Sequence, residues 1–121
     1  MGPRNLKELE VWREAIELAK RVYEASKGWP KEEIYGLTSQ TRRAATSIAS
    51  NLAEGLGRGS SAEIVRFGKI SLGSAYELYS LLELGNALGY LMSEDLTDLS
   101  ERLNSLTRRI TAYINYWEGQ K

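Results

Sequence analysis

Residues 40–69 read QTRRAATSIASNLAEGLGRGSSAEIVRFGK, and this stretch has the pattern of one helix, a tight turn and the start of a second helix. Gly55 and Gly57 predict the end of the first helix, because glycine readily adopts the left-handed conformation of a helix C-cap. Ser60 is a candidate N-cap, and Glu63 completes a capping box three residues later. Since a turn of a few residues joins helices that are antiparallel neighbours, the stretch predicts a helical hairpin.

Two stripes of residues follow the first helix of this hairpin, and each stripe steps by three or four positions. The apolar stripe is predicted to face the core and consists of Ile34, Leu37, Thr41, Ala45, Ile48 and Leu52. The polar stripe consists of Gln40, Arg43, Ser47, Asn51, Glu54 and Arg58. Small residues between the two stripes allow a second helix to approach closely.

The whole chain predicts four helices and no strand. They cover about 7–27, 31–56, 61–88 and 94–118, in one domain that spans 1–121. Pro30 separates the first two, because it disfavours helical geometry at Trp29 and suits the first turn of a new helix. In the fourth helix apolar residues recur from Leu96 to Trp117 in alternating steps of three and four.

The third predicted helix is apolar nearly all round, which is typical of a helix that is buried on several sides. A monomer of this size buries such a helix poorly, so we expect it to form a subunit interface. Glu77 interrupts one of its apolar stripes, and a carboxylate there needs a partner, for which Arg43 is the first candidate. The predicted fold class is therefore all-α, an antiparallel up-and-down four-helix bundle that forms oligomers.

The composition disfavours several classes of protein. The chain has no cysteine and no histidine, which removes disulfides, thiolate metal sites and the commonest general base. Sixteen basic residues balance sixteen acidic ones, whereas a non-specific nucleic-acid-binding protein usually has a basic excess. No apolar run is long enough to span a bilayer, and the N-terminus lacks the apolar core of a signal peptide. We therefore expect a cytoplasmic location and no membrane partner.

The sequence predicts no catalytic residue, no cofactor and no metal site. The glycine-rich segment 55–60 precedes a helix, where a phosphate can bind. It follows a helix and not a strand, and it lacks Gly-Lys-Ser/Thr, so a C-cap and turn is the favoured interpretation. Glu54, Glu63 and Glu77 are carboxylates in a bundle, but di-iron bundles pair such residues with histidine.

The basic residues of the hairpin are the best candidates for a binding site. One interpretation is contact with nucleic-acid phosphates, and the other is solvated charge with ion pairs between subunits to Glu54, Glu63 and Glu77. The candidate nucleic-acid-binding residues are Arg42, Arg43, Arg58, Arg66 and Lys69. The candidate buried polar or interface residues are Gln40, Asn51, Glu54 and Glu77. Trp29 and Tyr35 are the aromatic residues that we expect to be exposed for base stacking.

The hairpin also resembles a bacterial four-helix-bundle family that is encoded in intervening sequences of large-subunit ribosomal RNA genes. The resemblance covers roughly residues 6–92, and the residues that carry it are Trp12, Trp29–Gln40, Arg42-Arg43, Ser47–Arg58, Glu63, Arg66-Phe67, Gly73-Ser74 and Glu77. It implies a homo-oligomer, usually a pentamer, without enzymatic activity. The family is distantly similar to the accessory protein of diversity-generating retroelements, which binds nucleic acid and a reverse transcriptase.

Two functions follow as hypotheses. In the first, the chain is a nucleic-acid-associated accessory protein whose ring of basic residues holds structured RNA or DNA, together with a partner enzyme such as a reverse transcriptase. In the second, it is a structural oligomeric scaffold for another protein, and its arginines form internal ion pairs.

Overall fold

The computed structural model describes residues 5–120 and contains four long helices. Two short 3-10 helices precede α1 and α2, at Leu6–Glu8 and Lys31–Glu33. Residues 5–120 contain no strand, so the described chain is all-helical. The long helices are α1 (Glu10–Ala25), α2 (Leu37–Arg58), α3 (Ser61–Ala87) and α4 (Ser93–Glu118).

Each long helix packs against two others, which gives a four-helix bundle. Helix α1 contacts α2 and α4, and α3 contacts the same two helices. Branched apolar side chains from all four helices fill the space between them and are almost completely removed from solvent. The largest of these are Leu18, Val22, Ile48, Leu52, Leu78, Leu82, Leu99, Leu103, Leu106 and Ile110.

The third and fourth helices match their predicted bounds to within one residue. The first helix begins three residues later and ends two residues earlier than predicted. The predicted start of the second helix at residue 31 is wrong. Lys31–Glu33 forms a 3-10 turn, and α2 begins only at Leu37, whose backbone N–H donates to the Oε1 of Glu33 at 3.0 Å. Ile34 therefore precedes the helix and is 48% exposed, although the stripe predicted it in the core.

The turn between α2 and α3 begins two residues later than predicted, because α2 ends at Arg58. Gly55 and Gly57 are inside α2, and Gly59 is the C-cap with a left-handed φ of 81°. Gly55 is required for a different reason, because a Cβ there would lie 2.9 Å from the Cβ of Phe67 on α3. Ser60 is confirmed as the N-cap, since its Oγ accepts from the backbone N–H of Glu63 at 3.2 Å.

The α1–α2 and α3–α4 connections pack against each other. The Trp29 and Tyr90 rings lie 6.0 Å apart, and the Tyr90 hydroxyl donates to the Oε2 of Glu33 at 3.2 Å. Trp29 also covers Gly85, where a Cβ would meet the indole at 3.0 Å. The prediction that Trp29 is exposed for stacking is therefore wrong, since it is 7% exposed, whereas Tyr35 is 95% exposed.

The start of α4 has no side-chain cap. Met92 occupies the cap position without a side-chain hydrogen bond, and Ser93 is the first residue of α4. The Ser93 hydroxyl instead accepts from the Nδ2 of Asn86 at 3.3 Å, which connects it to the end of α3.

Candidate nucleic-acid interface

The five candidate cations do not form one cluster. Arg42 and Arg43 lie near the start of α2, and Arg58 is its last residue. Sixteen residues of helix separate Arg42 from Arg58, which corresponds to about 24 Å along the axis. Arg66 and Lys69 are in the first turns of α3, so they share the turn end of the bundle with Arg58.

Arg42 is part of the α1–α2 contact. Its Nε donates to the Oγ of Ser26 at 2.8 Å, and its guanidinium carbon lies 4.7 Å from the centroid of the Tyr23 ring. The Ser26 hydroxyl in turn donates to the carbonyl of Val22 at 2.8 Å. A cation near the last carbonyls of a helix is favourable for the helix dipole, so Arg42 stabilises the end of α1.

Arg58 and Arg66 both contact the ring of Phe67, in a group that we call the Phe67 cluster (Glu54, Arg58, Glu63, Arg66 and Phe67). The two guanidinium carbons lie 5.0 and 4.4 Å from the ring centroid, within the range of cation–π contact. Arg58 pairs with Glu54 at 2.9 Å and with Glu63 at 3.7 Å, and Arg66 pairs with Glu63 at 2.8 Å. Both arginines of the cluster are therefore neutralised within the chain.

The protonation equilibria of this cluster follow from its hydrogen bonds. The hydrogen bond from Arg66 holds the pKa of the Glu63 carboxyl below its ordinary value. The same bond raises the pKa of Arg66. The sequence predicts that Glu63 completes the capping box by accepting from the backbone N–H of Ser60. The Glu63 carboxylate instead accepts from Arg66 and pairs with Arg58.

Lys69 is paired as well, because its Nζ lies 3.6 Å from the Oε2 of Glu118 at the end of α4. Four of the five candidate cations therefore have partners in the chain, namely Arg42, Arg58, Arg66 and Lys69. Three of these four remain largely open to solvent, with Arg58 47%, Arg66 56% and Lys69 62% exposed.

Arg43 differs from the other four. It lies on a surface groove of about 400 Å³ between α2 and α3, lined by Gln40, Arg43, Ala44, Ser47 and Glu77. We call this the Arg43–Glu77 groove. Among residues 5–120, neither Arg43 nor Glu77 takes part in an ion pair. The candidate Arg43–Glu77 pair is therefore not formed within residues 5–120 of a single chain, where both side chains are exposed on the outer surface.

Asn51, a predicted buried polar or interface residue, is half-buried, and its amide nitrogen is hydrogen-bonded within the chain. Its Nδ2 donates to the carbonyl of Ser47 at 2.8 Å, and the Ser47 hydroxyl lies 2.9 Å from that of Ser74 on α3. The buried Ser71 hydroxyl donates to the carbonyl of Ile48 at 2.8 Å. Gln40 and Glu54 are exposed. Ser71 and Ser74 are contact residues that the sequence analysis did not identify. Their position on α3, opposite the small residues of α2, could have indicated these contacts.

Helix α3 carries a row of apolar side chains that face solvent. Ile70, Leu84 and Leu88 are 43%, 47% and 50% exposed, and Leu81 is half-buried beside them. Their spacing puts these four on one face, together with Glu77. We call the four apolar residues the α3 stripe. The opposite face of α3 lies in the core, so one apolar side of this helix is buried within the bundle and the other faces solvent.

Neither a metal site nor a membrane span is visible in the described part of the chain. Between residues 5 and 120, no group of acidic side chains is arranged to hold a metal ion. No helix in that range is both long enough and apolar enough to cross a membrane.

Comparison with known proteins supports the same architecture. Residues 7–112 match the family model described as 23S rRNA-intervening sequence protein. The chain is also similar to the crystal structure of a protein of unknown function from the S23 ribosomal protein family of Bacteroides thetaiotaomicron. That similarity has a TM-score of 0.79 and 24% identity, and it covers 87% of this chain and 95% of the other. No curated protein matches the chain.

Proposed function

Because the chain belongs to the 23S rRNA-intervening sequence protein family, we propose that it acts without enzymatic chemistry as a homo-oligomeric scaffold for another protein. The building unit is an antiparallel up-and-down four-helix bundle. Contacts between residues at matching distances from the α2–α3 turn support that arrangement, since Gly55 lies beside Phe67 and Ser47 beside Ser74. The proposed number of copies is five, the number that the family resemblance implies.

The observation that carries this proposal is the α3 stripe. Single exposed apolar residues are common on protein surfaces, but several exposed apolar residues on one face of a helix are typical of an interaction surface. Small side chains lie next to the stripe on α2, with Ala44 and Ser47 lining the adjacent groove. A neighbouring helix can therefore approach closely enough to cover Ile70, Leu84 and Leu88.

The charges of the hairpin favour a scaffold over a nucleic-acid-binding protein as the first choice. Four of the five candidate cations are paired or hydrogen-bonded within the chain. The formal net charge of the chain is zero, whereas a nucleic-acid-binding domain usually carries a basic excess. Because of this charge balance, we propose that the partner held by the assembled oligomer is a protein.

Sedimentation velocity at micromolar concentrations tests the assembly. The parent protein should sediment as an oligomer, and Leu84→Glu/Leu88→Glu should sediment as a monomer that keeps its helical circular dichroism. Ile16→Glu is the matched control, because Ile16 is 44% exposed on α1, which packs mainly on α2 and α4. A monomeric parent protein, or assembly that survives the double substitution, would contradict the proposal.

A second function, that of a nucleic-acid-associated accessory protein, is favoured by the exposure of Arg58, Arg66 and Lys69 at one end of the bundle. Exposed ion pairs contribute little free energy, so a phosphate can replace their carboxylates. An oligomer repeats the group in every copy, and such multivalent display strengthens weak single contacts. The partner is then structured RNA or DNA, together with an enzyme such as a reverse transcriptase.

A fluorescence-anisotropy titration distinguishes this second function from the first. The probes are an RNA hairpin and a DNA of matched sequence, each at two salt concentrations. Steeply salt-dependent binding that is lost in Arg58→Ala/Arg66→Ala, but kept in the control Arg13→Ala/Arg108→Ala, supports the accessory function. Absence of binding at low salt leaves the scaffold as the function.

A further inference from the structure

We propose that Arg43 and Glu77 form ion pairs between two copies of this chain, with Arg43 of each copy facing Glu77 of a neighbour. This inference rests on the proposed self-assembly and names the charged contact that fixes its register. In this proposal a second copy of the chain binds in the Arg43–Glu77 groove, which lies between α2 and α3.

The first step of the argument is the position of Glu77 within the α3 stripe. Glu77 follows Ile70 by seven residues and precedes Leu84 by seven, so it lies on the same helical face. Any surface that covers Ile70 and Leu84 therefore also removes the Glu77 carboxylate from water. A desolvated carboxylate is unstable without a cation and hydrogen-bond donors.

The second step is the search for that cation. Arg43 is the only charged residue besides Glu77 in the lining of the groove, and the other lining residues are Gln40, Ala44 and Ser47. Neither charge takes part in an ion pair within residues 5–120. An apolar partner would therefore leave two buried charges, whereas a partner that carries one cation and one anion would neutralise both.

The third step is that a second copy meets this requirement. Every copy carries the same Arg43 and Glu77, so in a closed ring Arg43 of one copy faces Glu77 of the next, and this pair is repeated at each interface. The groove floor is compatible with close approach, because Ala44 and Ser47 are small and the Ser47 hydroxyl is already bonded to Ser74. The α3 stripe then supplies the apolar area, and the ion pairs set the relative orientation.

Charge reversal in single variants gives the first test. Arg43→Glu and Glu77→Arg each place two like charges in the groove. Each should weaken self-association, measured by sedimentation equilibrium, by at least about thirtyfold in Kd. The matched controls are Arg108→Glu and Glu101→Arg, two exposed and unpaired positions of α4 within the described chain. The controls should assemble as the parent protein does.

A mixture of the two single variants is the decisive test. Each variant alone carries like charges and cannot form the pair within its own chain, but the two variants complement each other across an interface. Native mass spectrometry with one isotope-labelled variant should therefore detect mixed oligomers in the equimolar mixture. The double variant Arg43→Glu/Glu77→Arg should also assemble. Assembly of the double variant without assembly of the mixture would show pairing within one chain and would overturn the inference.

The remaining outcomes separate this inference from the proposed function. If Arg43→Glu and Glu77→Arg both assemble as the parent protein does, the self-assembly stands and the intersubunit pair is refuted. If the parent protein is monomeric, both proposals fail.

Discussion

The Nε of Arg42 donates a hydrogen bond to the buried Oγ of Ser26 at 2.8 Å, which joins the start of α2 to the end of α1. The Ser26 hydroxyl donates its own hydrogen bond to the carbonyl of Val22, so its oxygen can accept the hydrogen bond from Arg42. A residue that the charge pattern placed among the phosphate-binding candidates therefore contributes to the stability of the bundle.

Substitution of Arg42 by alanine is the first prediction. It removes the donor to a buried oxygen, the contact with the Tyr23 ring and a cation near the C-terminus of α1. We expect the free energy of unfolding to fall by about 1–2 kcal/mol. Urea unfolding at fixed protein concentration measures the loss. Arg108→Ala, an exposed control on α4, should change it by less than about 0.5 kcal/mol, and equal midpoints for both variants would contradict the role of Arg42.

The sequence predicts the helices well where their ends carry a local signal. Ser60 marks the start of α3 and is confirmed as its N-cap. The start of α2 lacks such a signal, because its first backbone N–H is capped by the side chain of Glu33 from outside the helix. Pro30 precedes the 3-10 turn at Lys31–Glu33, and Ile34 continues the apolar spacing of α2 by coincidence, so the two signals together extended the predicted helix too far.

The candidate site was harder to predict because its contacts join distant parts of the chain. Arg42 finds its partners in Tyr23 and Ser26 on α1, and Lys69 finds Glu118 on α4. A count of charges within residues 40–69 does not include those partners. The local pairs of the Phe67 cluster, in contrast, are three to five residues apart and follow from helical spacing and a short turn.

Gly55 and Gly57 give a matched pair for the second prediction. A Cβ at Gly55 would lie 2.9 Å from the Cβ of Phe67 and 3.2 Å from the backbone of α3, whereas at Gly57 it would meet nothing within 4 Å. Gly55→Ala should therefore force α2 and α3 apart and cost about 1–3 kcal/mol. Gly57→Ala should stabilise the helix by about 0.5–1 kcal/mol. Thermal unfolding of both variants checks the order, and a Gly55→Ala protein as stable as Gly57→Ala would refute the close helix contact.

Glu63→Gln tests whether the ion pairs of the Phe67 cluster compete with phosphate. The carboxylate of Glu63 lies 2.8 Å from Arg66 and 3.7 Å from Arg58, and its loss leaves both cations less neutralised. If the accessory function operates, the affinity for the RNA hairpin should rise by about fivefold. Glu101→Gln on α4 is the control. Unchanged or weaker binding by Glu63→Gln would remove these arginines from the nucleic-acid contact.

Tyr113 makes the alkaline stability of the bundle pH-dependent. Burial raises the pKa of Tyr113 to about 12, and its hydroxyl has no hydrogen-bond partner in the described structure. Since an unfolded tyrosine has a pKa of about 10, the unfolded chain loses this proton first. The free energy of unfolding should therefore fall as the pH rises from about 10 to about 12.

In Tyr113→Phe this component of the decline is absent, and the unpaired hydroxyl is removed as well. The variant should be at least as stable as the parent protein below pH of about 10, and its advantage should grow above that value. Burial and the hydrogen bond to Glu33 also raise the pKa of Tyr90, so the measured quantity is the difference between variant and parent in urea unfolding across the pH range. Tyr116→Phe, which alters an exposed ring, is the control. Parallel pH profiles for Tyr113→Phe and the parent would mean that the Tyr113 hydroxyl ionises as readily in the folded protein as in the unfolded chain.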